Sequence, residues 1–373
     1  MILKTSKLQT LKFILVLLFV SLTANAKASE TVLLYPNQPA DKADRRPKVA
    51  LVLGGGGAKG AAEVGVLKYI EKSGIPIDMV VGTSIGSIVG GLYSMGYRSE
   101  QLDSLFRSQE WLSLLTDRSL EHSSKLIEKE NGVTYVLGYP VNLNFKKKKR
   151  EDTNDNALSQ EDQKQKKRFQ LGALKGDSIV STLQRMIGTA DSLDFNEMPI
   201  PYRCVAVDLN SFEEVVISSG NLAEAMRASM AIPLAFRPMV IDDRTLVDGG
   251  VLNNLPVDVA KAMGADIVIA VDLTVNKHKG EKNGADFDEE FDNMFAPLKK
   301  LGLLNMLKWS LVRPDMSKYQ SNVRNADIYI NPDLKGFSVS DFSPVKIDEM
   351  IKRGEEAGKK SLKTMKKLNK KIR

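Results

Sequence analysis

Short, unbroken apolar runs alternate with amphipathic stretches along most of the chain. Residues 49–60, VALVLGGGGAKG, are aliphatic up to Leu53 and then carry four consecutive glycines. Such a run reads as a strand buried on both faces, and residues 58–70 after it read as a helix. Gly74-Ile75-Pro76 breaks the chain, residues 77–81 make a second short strand, and residues 87–95 a second helix. Strand, helix, strand, helix with short joints means parallel strands joined by right-handed crossovers, so the expected fold class is α/β with a mainly parallel central sheet.

Residues 99–115 give an amphipathic helix with Leu102, Leu105, Phe106 and Leu112 inward. A helix at 176–187, a strand at 202–208 and its neighbour at 214–218 follow. Residues 221–230 read as a helix with Asn221 as N-cap, and Pro233 ends the next turn. Residues 236–241 and 245–247 flank the turn signal Asp242-Asp243, so they form a hairpin that delivers Asp248-Gly249-Gly250 at its exit. Residues 257–263 and 267–272 repeat the helix and strand. Residues 298–312 read as a helix, 328–330 as a last strand, and 345–371 as a lysine-rich helix with Ile347, Met350 and Ile351 on one side. Its basic end is either a solvated face or a membrane arm.

The polar stretches set the organisation. Lys4, Lys7 and Lys12, an apolar run at 13–20 and then Ala24-Asn25-Ala26 have the order of an export signal, so residues 1–26 are expected to be cleaved. A membrane anchor is the alternative, but the run falls short of the ~20 apolar residues a spanning helix needs. The destination is then the periplasm, the outer membrane or the medium. Residues 27–46 read as a linker, 47–275 as the main folded domain and 276–373 as a helical extension that completes it. Within the domain, residues 145–169 hold a charged insertion nearly free of large apolar side chains, which cannot offset its ordering entropy. It reads as a surface loop, or more sharply as a lid. Residues 278–292 are polar as well.

Removing residues 1–26 takes away three lysines and no acid, so the net charge falls from +7 to +4. That is mild for the length, and no aromatic-studded basic patch argues for nucleic acid. An anionic membrane surface is slightly favoured. Cys204 is the only cysteine, so no disulfide forms within the chain. No cluster has metal-ligand spacing, and neither metal nor cofactor is expected.

Gly55-x-Gly57-x-x-Gly60 satisfies the dinucleotide fingerprint, and N–H groups at a helix start form an anion site. A nicotinamide enzyme also needs an acid at the end of the second strand, where this chain has Gly82-Thr83-Ser84 and carries Asp78 at the other end. The phosphate loop of nucleotide hydrolases fails too, because Lys59 is followed by Gly60. Gly82-x-Ser84-x-Gly86 between strand and helix has the spacing of a nucleophile elbow, with simple helix capping by Ser84 or Thr83 as the alternative. Adjacent parallel strands open on the same edge, so the glycine run and Ser84 face one crevice. Acyl transfer needs a nucleophile and N–H donors for the developing oxyanion, each donor worth about 3 kcal/mol. For the base, His122 and His278 both sit in polar, loop-like surroundings, whereas Asp248 leaves a strand into Gly249-Gly250. A carboxylate is a poorer base than imidazole by about 2.5 pKa units, so Asp248 would have to be desolvated and preorganised.

GGGGAKG at 54–60, GTSIG at 82–86, DGG at 248–250 and AMRASMAIPLAF at 225–236 together resemble the patatin-like phospholipases. The resemblance implies a three-layer α/β/α fold and a Ser and Asp dyad without histidine. It makes Ser84 the nucleophile and Asp248 the base. Gly55, Gly56 and Gly57 become the oxyanion loop, with Lys59 its basic member and Gly60, Gly82, Gly86, Gly249 and Gly250 in support. The substrate it implies is a phospholipid or fatty acyl ester at a membrane surface, with the outer membrane among the places of action. Two departures stand out: the insertion at 145–169, and Glu63 where such proteins often carry histidine.

Overall fold

A computed structural model describes residues 45–109, 111–117, 172–188, 192–274 and 316–372. The chain divides after Arg45, and the fold described belongs to the second unit, residues 46–373. The expected export signal, the charged insertion, the helix at 298–312, His122 and His278 lie outside the described residues.

The chain opens with β1 (Val49–Leu53), a 3-10 turn (Gly57–Gly60), α1 (Ala61–Ser73), β2 (Met79–Thr83), α2 (Ile85–Ser94), α3 (Ser99–Ser108) and α4 (Trp111–Thr116). Next come β3 (Gly172–Leu174), α5 (Asp177–Ile187), β4 (Leu193–Asp194), β5 (Tyr202–Asp208), β6 (Glu214–Ile217), β7 (Ser219–Gly220) and α6 (Leu222–Ser229). β8 (Leu234–Phe236), β9 (Met239–Ile241), β10 (Arg244–Asp248), α7 (Val257–Ala262), β11 (Ile267–Val271), α8 (Met316–Asn325), β12 (Ile328–Ile330) and α9 (Pro344–Ile372) complete it.

The main sheet runs β12-β11-β1-β2-β5-β10-β9, with β6 also paired to β5. β12, β11, β1, β2 and β5 are mutually parallel, and the pairs of β5 with β6 and β10 and of β10 with β9 are antiparallel. Alternate residues of a strand face opposite sides. Val49, Leu51 and Leu53 accordingly share a core with Leu67 and Ile70 of α1, Leu92 of α2 and Met350 of α9. Ala50 and Val52 share a second core with Val257 and Val259 of α7 and Val323 of α8. Helices thus cover both faces of a mostly parallel sheet, the α/β/α arrangement.

Where the elements depart from the apolar pattern, the cause is local. Gly57 (φ 56) cannot begin an α-helix, so a 3-10 turn precedes α1. β2 runs on to Thr83, because pairing to β1 and β5 continues through Gly82. The stretch 99–115 breaks at the extended Gln109. Residues 236–241 divide at Pro238, which has no N–H for a ladder; β8 pairs with β3, and β9 stays in the hairpin with β10. In that hairpin Asp242 (φ 48) and Asp243 (φ 59) take the left-handed turn geometry that suits a two-residue loop.

α9 packs along α1 in the same direction. A Cβ on Gly354 would stand 1.9 Å from Ala62 O and one on Gly65 2.1 Å from Ile351 O, so only glycine permits this contact. Asn369 near the end of α9 donates to Ser73 O at the end of α1. The exposed lysines 366, 367, 370 and 371 beside Asn369 therefore lie towards the end of α1, away from the glycine loop, whereas Lys360 lines a cleft with Ile330, Asn331 and Asp333 past the end of β12.

Candidate active site

β6 pairs with β5 from Cys204 to Val207 and occupies one side of it. β2 and β10 share the other side, with Thr83 opposite Val205 and Asp248 opposite Ala206. Their carboxyl ends therefore meet head to head, although 164 residues separate Ser84 from Asp248. The Ser84 hydroxyl donates to Asp248 Oδ2 at 2.6 Å.

Ser84 is held in strain. Its φ of 55 and ψ of −125 lie outside the ordinary regions for a residue with a side chain, at a cost of about 1–3 kcal/mol. Three contacts hold it there. Its N–H donates to Ser229 Oγ at 2.9 Å, and that hydroxyl donates to Val205 O at 2.6 Å, in the junction between β2 and β10. Ser87 Oγ donates to Ser84 O at 2.6 Å. The flanking glycines are required by space: a Cβ on Gly82 would lie 2.3 Å from Gly86 O, and one on Gly86 2.4 Å from Leu53 O.

Asp248 is 5% exposed and Ser84 6%. Asp248 Oδ1 accepts from Gly250 N–H at 2.7 Å, and Asp248 N–H donates to Ala231 O at 3.0 Å. Burial pushes the Asp248 carboxyl up to about 6, while the hydrogen bonds from Ser84 and Gly250 hold it down. It is ionised at neutral pH and close to the pKa a general base needs. Gly249 closes the turn, since a Cβ there would stand 2.2 Å from Val205 O.

The glycine loop lies against the elbow, a Cβ on Gly55 falling 3.1 Å from Ser84 Cβ. Gly54 N–H donates to Val271 O, Gly55 N–H to Asn254 O and Ala58 N–H to Val339 O. Among the described residues the N–H groups of Gly56 and Gly57 have no backbone acceptor. Of the three glycines expected to serve an oxyanion, Gly55 has its N–H committed elsewhere. Lys59 is buried at the turn into α1, and Gly60 packs so tightly on Ile85 that a Cβ would stand 2.3 Å from Cγ1.

Ser229, Asn254 and Val339 also build the site, and no spacing rule in the sequence points to them. Ser229 lies in the stretch 225–236, which shows only a family likeness; Asn254 and Val339 touch the glycine loop across long stretches of chain. Among the described residues no group of three or more His, Cys, Asp or Glu side chains could hold a metal.

Residues 51–261 match the Patatin family, described as patatin-like phospholipase. A mouse patatin-like phospholipase domain-containing protein 6 is 28% identical over 327 residues, 83% of this chain and 20% of that protein. An uncharacterized NTE family protein of Mycobacterium bovis is 30% identical over 227 residues, 61% of this chain and 49% of the relative. The chain thus spans about a fifth of the length of the first of these. The crystal structure of VipD from Legionella pneumophila superposes with a TM-score of 0.46 at 16% identity, covering 86% of this chain and 67% of VipD.

Proposed function

Because the chain belongs to the patatin-like phospholipase family, we propose that it hydrolyses carboxylic esters of lipids through a Ser84 and Asp248 dyad. The observation that carries this reading is the 2.6 Å hydrogen bond from Ser84 Oγ to a buried carboxylate, at a strained strand-to-helix turn. Asp248 Oδ2 takes the hydroxyl proton as Ser84 Oγ attacks the ester carbonyl. The carbonyl oxygen becomes an oxyanion, for which the N–H groups of Gly56 and Gly57 are the available donors. Collapse of the tetrahedral adduct breaks the ester C–O bond, and Asp248 returns the proton to the leaving alcohol. Water then attacks the acyl-serine; Asp248 removes its proton and gives it back to Ser84 Oγ as the fatty acid leaves.

Burial serves this chemistry. In a site nearly closed to water, N–H dipoles act on the oxyanion with little screening.

Hydrolysis of short fatty esters and of phospholipid vesicles by purified wild type, Ser84→Ala and Asp248→Ala tests the reading. The expected outcome is turnover by wild type alone. Equal turnover by all three would refute the dyad. Vesicle binding without turnover by wild type would leave a lipid-binding module on the same fold.

A further inference from the structure

The glycine loop is gripped by one residue beyond the dyad. Gly55 N–H donates to Asn254 O at 3.1 Å, and Asn254 Nδ2 donates to Gly55 O at 3.2 Å, so both polar groups of Gly55 are held by Asn254. The carboxamide is also wedged between two loops. A Cβ on Gly55 would lie 2.3 Å from Asn254 Oδ1, and one on Gly250, in the turn after Asp248, 2.6 Å from the same atom.

The peptide joining Gly55 and Gly56 is planar and trans, so its C=O and N–H point in opposite directions. Fixing the Gly55 carbonyl on Asn254 therefore also fixes where the Gly56 N–H points. Glycine backbones resist such rotation least of any residue, so an outside hold is needed. Asn254 is itself well placed to give it. The neighbouring Asn253 is 2% exposed, its carbonyl accepts from Thr83 Oγ1 at 2.9 Å, and its side chain is bonded to Asp258 and Asn322.

We propose that Asn254 is a positioning residue whose carboxamide aims the Gly56 N–H at the oxyanion, coupling the glycine loop to the turn that carries Asp248. The proposal rests on the dyad reading above. Asn254 does not touch the reacting atoms; it acts through Gly55.

Steady-state kinetics of Asn254→Ala and Asn254→Asp beside Ser84→Ala, on a short fatty ester, test it. Losing an oxyanion donor outright costs about 10²–10³ in kcat, so a misdirected one is expected to cost about tenfold to a hundredfold. KM should change by less than about twofold, since the oxyanion exists only in the transition state. Asn254→Asp lacks the N–H donor at neutral pH. A protonated aspartate regains one, so its activity relative to wild type at each pH should climb as pH falls. An unchanged kcat in both variants, a loss confined to KM, or a flat ratio for Asn254→Asp would overturn the role. Wild-type activity in Ser84→Ala would instead sink the dyad reading, whereas an inactive Ser84→Ala beside unimpaired Asn254 variants would sink this proposal alone.

Discussion

Three carboxyl groups are sealed inside the described residues, those of Asp248, Glu63 and Asp272, and the surroundings of the first two set them apart. Asp248 ends β10 against Ser84; Glu63 sits in the first turn of α1, near Gly54 and Asp272, and is fully buried. Loss of water raises the pKa of both. Asp248 has a hydroxyl and a backbone N–H to answer its charge, which brings it back to about 6. Among the described residues neither oxygen of Glu63 has a hydrogen-bond partner; the nearby Gly54 N–H, which would lower its pKa, donates to Val271 O, and the negative charge of Asp272 adds to the burial. Glu63 is therefore held well above the usual carboxylate range, which favours its neutral form. Burial alone makes a silent acid. Burial with two donors leaves a carboxylate that titrates near neutrality.

The contrast breaks most visibly at Asp248. Asp248→Asn keeps the shape and removes the proposed base, so kcat should fall by about a thousandfold or more, measured on a short ester. In wild type, kcat should rise with pH through about 6 and then level off, because the ionised carboxylate is the active form. Stability should run the other way. A folded-state pKa raised from 3.8 to about 6 means that the folded chain binds more protons than the unfolded one across that window. Wild type then loses roughly 3 kcal/mol as pH rises through it. Asp248→Asn should escape that loss, so its advantage in denaturant melts should be absent near pH 4 and full above pH 7. An Asp248→Asn chain that is both active and no more stable at pH 8 would show that the two buried sites do not differ as described.

The smallest effect belongs to Glu63. Glu63→Gln should change kcat by less than about twofold, since Glu63 shares no hydrogen bond with Ser84 or Asp248. Its stability should match wild type at acid pH. It should then exceed wild type increasingly as pH rises above the ordinary carboxyl range, because only wild type must bury a charge or keep its proton. A large fall in kcat for Glu63→Gln would give this carboxyl a part in the chemistry.

How much of this was legible in the sequence depends on how local each feature is. The elbow at Gly82 to Gly86, the Asp242-Asp243 hairpin and the apolar runs of β1, β5 and β12 depend on neighbouring residues, and the sequence pattern marks all of them. The exit of Asp248 from a strand into Gly249-Gly250 marks it as a candidate base and the family likeness pairs it with Ser84, but nothing local says that β10 lines up behind β2 along one side of β5. The hidden parts are long-range backbone bonds. Gly55 gives its N–H to Asn254 across 199 residues, and Ser229 reaches Ser84 across 145. Glu63 looked like a mere substitution until its burial and missing partners were visible.

The central claim is that Asp248 activates Ser84, and covalent capture tests it without a choice of substrate. A fluorophosphonate probe should label wild type once, at Ser84 by peptide mass, with a rate that rises with pH through about 6. Ser84→Ala should take no label, and Asp248→Asn should label at least about a hundredfold more slowly. Labelling of wild type at another residue, or equally fast labelling of Asp248→Asn, would contradict the account.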